Sequence, residues 1–551
     1  SETLAASTAT GPWTLSNVPS GGSLSAVGTA GAVATLTLNE GAGSASTAVG
    51  SFTVALAANA AGIRDTAGNQ ASFSSTAPAD KATPALLAMQ MLDNDSDGKV
   101  DRVTAQFTET LSSYSAGTGP WTLTGVPSGG TLSSVSVSSA TATLTLAEGG
   151  GAQSTSVGSF TVALATAANG IRDAAANLSS FAATAPADGA EPVLVTNTLQ
   201  LFDSNANGKV DQVKATFSET LAASTATGPW TLSNVPSGGS LSAVGTACAV
   251  VTLTLNEGAG SASTAVGSFT VALAANAAGI RDTAGNLSSF GSTSPADEAT
   301  PVLLALQMLD NDRDGKVDRV TAQFTETLSS YSAGTGPWTL VGIPSGGTLS
   351  SVSVSGSTAT LTIAEGAGAA DTKVGSLTVA LATAANGIRD AAANLASFAA
   401  TAPADKAGPV VVSITSSGGI RGRMESGDQL VVAFSEPLLA GSVPAATTVR
   451  ERDPNGGGDD LLDITGITDG ELDTGTNGYI SSNNSSASFA SSTVTLSTNT
   501  VTVSVAGTCT GTCAIATSQG GLSFTPATSL TDAPGNPAAG TLTTSSSFQL
   551  F

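Results

Sequence analysis

Four tryptophans, Trp13, Trp121, Trp230 and Trp338, each stand in the string Thr-Gly-Pro-Trp-Thr-Leu and are spaced by 108, 109 and 108 residues. The same spacing recurs at Arg64-Asp65, Arg172-Asp173, Arg281-Asp282 and Arg389-Asp390. A period of this length is a whole domain and not one unit of a solenoid. The chain therefore reads as tandem domains: residues 1–83, 84–191, 192–300 and 301–408 as four repeats, and 409–551 as a diverged fifth domain carrying an acidic insertion. Ser1-Glu2-Thr3-Leu4 matches Ser218-Glu219-Thr220-Leu221, so repeats 1 and 3 resemble each other more than they resemble 2 and 4, the mark of a duplicated pair.

Within a repeat, apolar and small polar residues alternate with period two. Val103, Ala105 and Phe107 alternate with Thr104 and Gln106; Leu144 and Leu146 with Thr143 and Thr145; Phe160, Val162 and Leu164 with Thr161 and Ala163. Such alternation belongs to strands with one face on a core and the other in water. Gly-rich turns such as Pro127-Ser128-Gly129-Gly130 separate them, so each repeat is expected to be a two-sheet β-sandwich of about seven strands. The fold class is all-β, immunoglobulin-like sandwiches in an elongated array. A short helical turn is expected around Ala165 to Ile171. Each Trp is expected to fill a core. The junction Pro78-Ala79-Asp80-Lys81-Ala82-Thr83-Pro84 recurs at 186–192, 295–301 and 403–409, and two prolines in seven residues predict stiff, short linkers.

The strongest chemical signal is an acidic loop at the start of repeats 2, 3 and 4. Asp93, Asp95, Asp97 and Asp101 alternate around Gly98, with the carbonyl of Lys99 between; the copies are Asp203, Asn205, Asn207, Lys209 and Asp211, and Asp310, Asp312, Asp314, Lys316 and Asp318. Oxygen donors at alternate positions with a glycine for a sharp turn suit Ca2+. Thr104 stands where a bidentate Glu would close such a loop, so the remaining ligand is expected elsewhere, with Glu109 or a junction acid such as Asp188 as candidates. The middle copy has two fewer charges than the last and is expected to bind most weakly.

Function classes narrow further by charge and residue type. With 41 acidic against 18 basic residues the net charge is −23, and there is no histidine; a chain so acidic repels phosphate backbones and anionic lipid. Nucleic acid is not expected as a partner. No apolar run is long enough for a membrane-spanning helix, and membrane insertion is not expected. Without His, a serine elbow or a phosphate loop, catalysis has no constellation to rest on. Cys509 and Cys513 either close a tight disulfide or remain thiols, while Cys248 stands alone. Domain 5 replaces the acidic loop by Gly-Gly-Ile-Arg-Gly-Arg-Met-Glu, and its insertion, Arg450 to Ser486, forms a cation site, a recognition loop or a polar excursion. Repeat 1 lacks the counterpart of Pro192 to Phe217; the chain is then an excerpt of a longer array, or a neighbour's strand completes the open sheet.

Asp-Gly-Lys-Val-Asp-Arg-Val, Phe107-Thr108-Glu109 with its copies Phe217-Ser218-Glu219 and Phe324-Thr325-Glu326, and Gly62-Ile63-Arg64-Asp65-Thr66-Ala67-Gly68-Asn69 resemble the bacterial immunoglobulin-like repeats of secreted and surface proteins, of the swimming-motility-protein type. The resemblance implies an extracellular or cell-surface location and a calcium-stiffened stalk, filament or surface-layer subunit. Its expected partners are further copies or neighbouring surface proteins. The alternative is an adhesin whose domain 5 binds a glycan or protein ligand.

Overall fold

A computed structural model describes residues 2–454, 458–513 and 515–551. Repeat 2 shows the plan. One sheet has five strands in the order Ala187–Asp188, Leu86–Leu92, Arg102–Phe107, Thr141–Ala147 and Thr131–Ser138; the other has three, Phe181–Thr184, Thr161–Leu164 and Trp121–Thr124. Alternation is met by burial: Val103, Ala105, Leu144, Phe160 and Val162 are fully enclosed between the sheets, while Thr143 and Thr145 point away from the core. Repeats 3 and 4 copy both sheets strand for strand. The fold is all-β throughout, a series of two-sheet sandwiches with separate apolar cores. Among the described residues no helix is long and apolar enough to cross a membrane.

Two local expectations are corrected. Between Ala165 and Ile171 the chain makes only a turn, closed by Gly170 N donating to Ala167 O at 2.9 Å; the short 3-10 turn lies instead at Pro127–Gly129. The eighth strand, Ala187–Asp188, comes from the proline junction itself. It pairs in parallel with Leu86–Leu92, Ala187 beside Gln90 and Asp188 beside Met91. The linker is thus stiffened by the preceding sheet as well as by its prolines.

The indoles of repeats 2, 3 and 4 are core plugs, whereas Trp13 is only half-buried. Trp121 is buried, meets Phe181 edge-on at 5.9 Å, and donates its Nε1 hydrogen to Tyr114 Oη at 3.1 Å. Trp338 repeats this with Tyr331. Repeats 1 and 3 carry Ala6 and Ala223 where that tyrosine stands, so Nε1 of Trp13 and Trp230 has no acceptor.

Repeat 1 has the three-stranded sheet and a two-stranded ribbon, Ser23–Ala30 with Val33–Asn39. Elsewhere a strand of the Arg102–Phe107 kind pairs with that ribbon. In its place Trp13, Leu36, Phe52 and Phe73 line an open groove of about 450 Å³, and Phe73 is 43% exposed.

Domain 5 builds one long sheet from Val411–Ser417 to Leu472–Asp473. Its insertion is not a polar excursion: Ala446–Asp453, Leu461–Ile464 and Leu472–Asp473 extend the sheet as successive antiparallel strands. Residues 455–457 of the insertion lie outside the described ones. Cys509 and Cys513 are joined as a disulfide, and Cys248 is free.

Candidate metal centres at the loops and the joints

The acidic loop of repeat 2 connects Leu86–Leu92 to Arg102–Phe107, two strands in antiparallel register. Its turn is set by backbone bonds to carboxylates. Gly98 N donates to Asp93 Oδ2 at 2.8 Å, Lys99 N to Asp97 Oδ1 at 2.9 Å and Asn94 N to Asp101 Oδ1 at 3.1 Å. Gly98 has φ +88°, a left-handed conformation in which a side chain is strained. The fold brings oxygens of Asp93, Asp95 and Asp97 within 4.8 Å of one another, and likewise Asp310, Asp312 and Asp314.

Such crowding needs a cation or a proton. Asp93 Oδ1 is buried with no hydrogen-bond partner, and burial, with the neighbouring Asp95 and Asp97, pushes the Asp93 carboxyl up to about 6. Asp310 is raised to about 6 in the same way. Lys99 forms no ion pair with the loop aspartates: its Nζ donates to Gly149 O at 2.9 Å, and its backbone bridges to Ser154.

A further acid, which from sequence alone is indistinguishable from an ordinary turn residue, faces this loop. Glu148 lies in the turn after Thr141–Ala147, and its carboxyl is raised by burial and by contact with Asp97. Glu365 stands in the same relation to Asp314. The turn is fixed by Gly149, where a Cβ would fall 2.0 Å from Ser128 O. In the middle copy Glu257 takes hydrogen bonds from Asn205 Nδ2 at 3.0 Å and from Asn207 Nδ2 at 2.8 Å, which lower its pKa. There the amides answer the carboxylate that a cation would otherwise meet. The recurrence of Glu40, Glu148, Glu257 and Glu365 at the repeat spacing was the available signal.

Glu109 and Asp188, the expected closing ligands, lie elsewhere. They belong to a second constellation at the joints between domains. Oxygens of Asp188, Glu219 and Asp282 gather within 4.8 Å, as do those of Asp80, Glu109 and Asp173, and of Asp297, Glu326 and Asp390. The linker supplies the first acid of each triad and the following domain the other two. The Arg-Asp motif explains its own spacing here: Asp282 takes hydrogen bonds from Asn286 N and Nδ2, and Asn286 Nδ2 also reaches Asp188 O at 3.4 Å. The preceding domain closes the contact. Thr155 Oγ1 donates to Glu219 Oε1 at 2.6 Å and lies 2.6 Å from Ser218 Oγ. Thr264 and Thr372 do the same for Glu326 and Glu436.

Domain 5 keeps this joint although it has lost the loop. Asp532 and Asn536 reproduce the Asp–Asn clamp, with Asn536 Nδ2 on Asp405 O at 3.2 Å. Burial, opposed by the Thr155 bond and reinforced by Asp188 and Asp282, pushes Glu219 up to about 8. Glu436 reaches about 8 beside Asp405 and Asp532, and Glu326 about 7. Among the described residues the ion pairs all lie in domain 5, and none reaches a joint acid.

No family model and no curated protein matches the sequence. Solved structures similar to it include the S-layer protein rSbsC(31-844), at 13% identity and TM-score 0.14 over 76% of this chain and 66% of that one. Another is the surface layer protein SbsC, domains 1–6, at 13% identity and TM-score 0.15 over 84% of this chain and 54% of that one. This chain spans less than two thirds of either.

Proposed function

We propose that this protein is a structural array of the cell surface, a stalk, filament or surface-layer subunit whose immunoglobulin-like repeats are stiffened by calcium. The observation that carries the proposal is the joint. Each one sets a linker acid against two buried acids of the next domain, ties them to a threonine of the preceding domain, and offers no protein cation to balance them. Three carboxylates in one small volume repel strongly unless protonated or bridged by a metal, and all-oxygen donors select a hard cation such as Ca2+. A bound ion would lock linker and domain together, so bending at the joint would require breaking its coordination.

Ions in the acidic loops would lie beside the same interface, because Lys99 bridges to Ser154, the neighbour of the joint residue Thr155. The millimolar calcium found outside cells suits sites of this exposed, partly amide-liganded kind. Resemblance to secreted and surface repeats supports the location.

The test is small-angle scattering of the purified chain in calcium and in calcium-free buffer. The proposal expects an extended particle in calcium and a shorter, broader distribution of distances without it. Identical curves, together with no heat of calcium binding, would overturn it.

A further inference from the structure

We propose that Glu451, Asp453 and Asp460 form an additional site for a hard divalent cation of the calcium type, inside domain 5. This site is separate from the loops and joints of the repeats. It arises from strand geometry. Ala446–Asp453 pairs with Leu461–Ile464 so that Arg452 faces Leu461 and Glu451 faces Leu462. Continuing that register by one residue places Asp460 opposite Asp453. Residues two apart on a strand share a face, so Glu451 and Asp453 point the same way and Asp460 lies across from one and diagonal to the other. Diagonal neighbours in a ladder remain within reach of long side chains.

That face is the core. Glu451 and Asp460 are fully buried, and Asp453 is 3% exposed. Both carboxylate oxygens of Glu451 and Oδ1 of Asp460 lack any hydrogen-bond partner. Oδ2 of Asp460 is fixed by Tyr479 N at 2.6 Å and Ile480 N at 3.0 Å, which leaves Oδ1 to face a ligand. The nearby arginines cannot serve as counter-charges, because alternation sends Arg450 and Arg452 to the other face, where both pair with Glu471. An unpaired buried carboxylate is among the most unfavourable arrangements a core can hold. Glu451 and Asp460, with unpartnered oxygens on the face that Asp453 shares and no cation among the described residues paired with them, make the donor set of an oxygen-ligated metal. Tyr479 Oη in turn accepts Leu550 N at 2.9 Å, so an ion here would tie the insertion to the end of the chain.

The experiment uses the whole chain with calcium alone as the probe. Hydrogen exchange at the amides of Tyr479 and Ile480 is followed in calcium and in calcium-free buffer, and at least tenfold slower exchange in calcium is expected. Equal rates would overturn the proposal, since the carboxyls would then be held as neutral acids. The repeat loops report separately through the amides of Gly98, Gly208 and Gly315, so failure of one reading is distinguishable from failure of the other. Equilibrium dialysis of E451Q gives a second readout wherever the variant keeps the wild-type circular dichroism. One fewer ion per chain is expected, and an unchanged count would refute the site.

Discussion

Replacing Thr155 by Val tests the joint between repeats 2 and 3 most directly. Valine keeps the shape of threonine and removes the hydroxyl that links the two domains. Thr155 is fully buried, and its Oγ1 lies 2.6 Å from both Glu219 Oε1 and Ser218 Oγ. The substitution leaves a buried carboxyl oxygen without its donor, which costs roughly 1–3 kcal/mol. About 2 kcal/mol corresponds to a factor of about 30 in the opening equilibrium of the joint. A chain of several domains does not unfold in one step, so a single melting temperature would blur the effect. Hydrogen exchange resolves it. The amide of Val193 donates to Ser218 Oγ at 2.9 Å and the amide of Ser218 to Val193 O at 2.8 Å; both should exchange about 30-fold faster in T155V. The equivalent amides of the next joint, Val302 on Thr325 Oγ1 and Thr325 on Val302 O, should not change. Unaltered exchange at Val193, or equal acceleration at both joints, would refute the claim that the hydroxyl holds this interface.

Other expectations concern protons, calcium and the core. Glu219 and Glu436 at about 8 and Glu326 at about 7 lie above the usual carboxyl value, so the folded joint holds their protons more tightly than the unfolded chain does. Their contribution is therefore complete below about pH 4.5 and is lost as pH rises toward 8. Calorimetry in calcium-free buffer should show the joints weakening over that window, with calcium restoring them at the alkaline end; stability rising with pH without calcium would contradict the sign. Calcium titration should find the 203–211 loop weakest, and the double change N205D and N207D should tighten it by removing the amide bonds to Glu257; unchanged affinity would dismiss the charge argument. The change A223Y should give Trp230 Nε1 the acceptor that Tyr114 gives Trp121, stabilising repeat 3 by about 1 kcal/mol, read as a higher denaturant midpoint for that domain's fluorescence.

Much of the fold was legible in the sequence because its signals are local. Alternation at Val103, Ala105 and Phe107 specifies which strand face is buried without reference to any other strand, and the repeated Trp string counts the domains. The acidic loop was legible for the same reason: Asp93, Asp95, Asp97 and Gly98 are neighbours in the chain. Glu148 was missed because it meets Asp97 only after the strand Thr141–Ala147 has paired beside Arg102–Phe107. The junction prolines indicated stiffness, but the parallel strand Ala187–Asp188 depends on a partner nearly a hundred residues earlier.

By itself, then, the sequence determined the all-β class, the repeat count and the loop that gathers aspartates. Tertiary structure alone decided where the remaining carboxylates meet. Asp188, Glu219 and Asp282 come from a linker and two separate loops, and Glu451 and Asp460 from two paired strands. Each of these acids looks like an ordinary turn or strand residue in the chain. Their chemistry appears only when folding brings like charges together away from water, where repulsion and burial make a cation or a proton necessary.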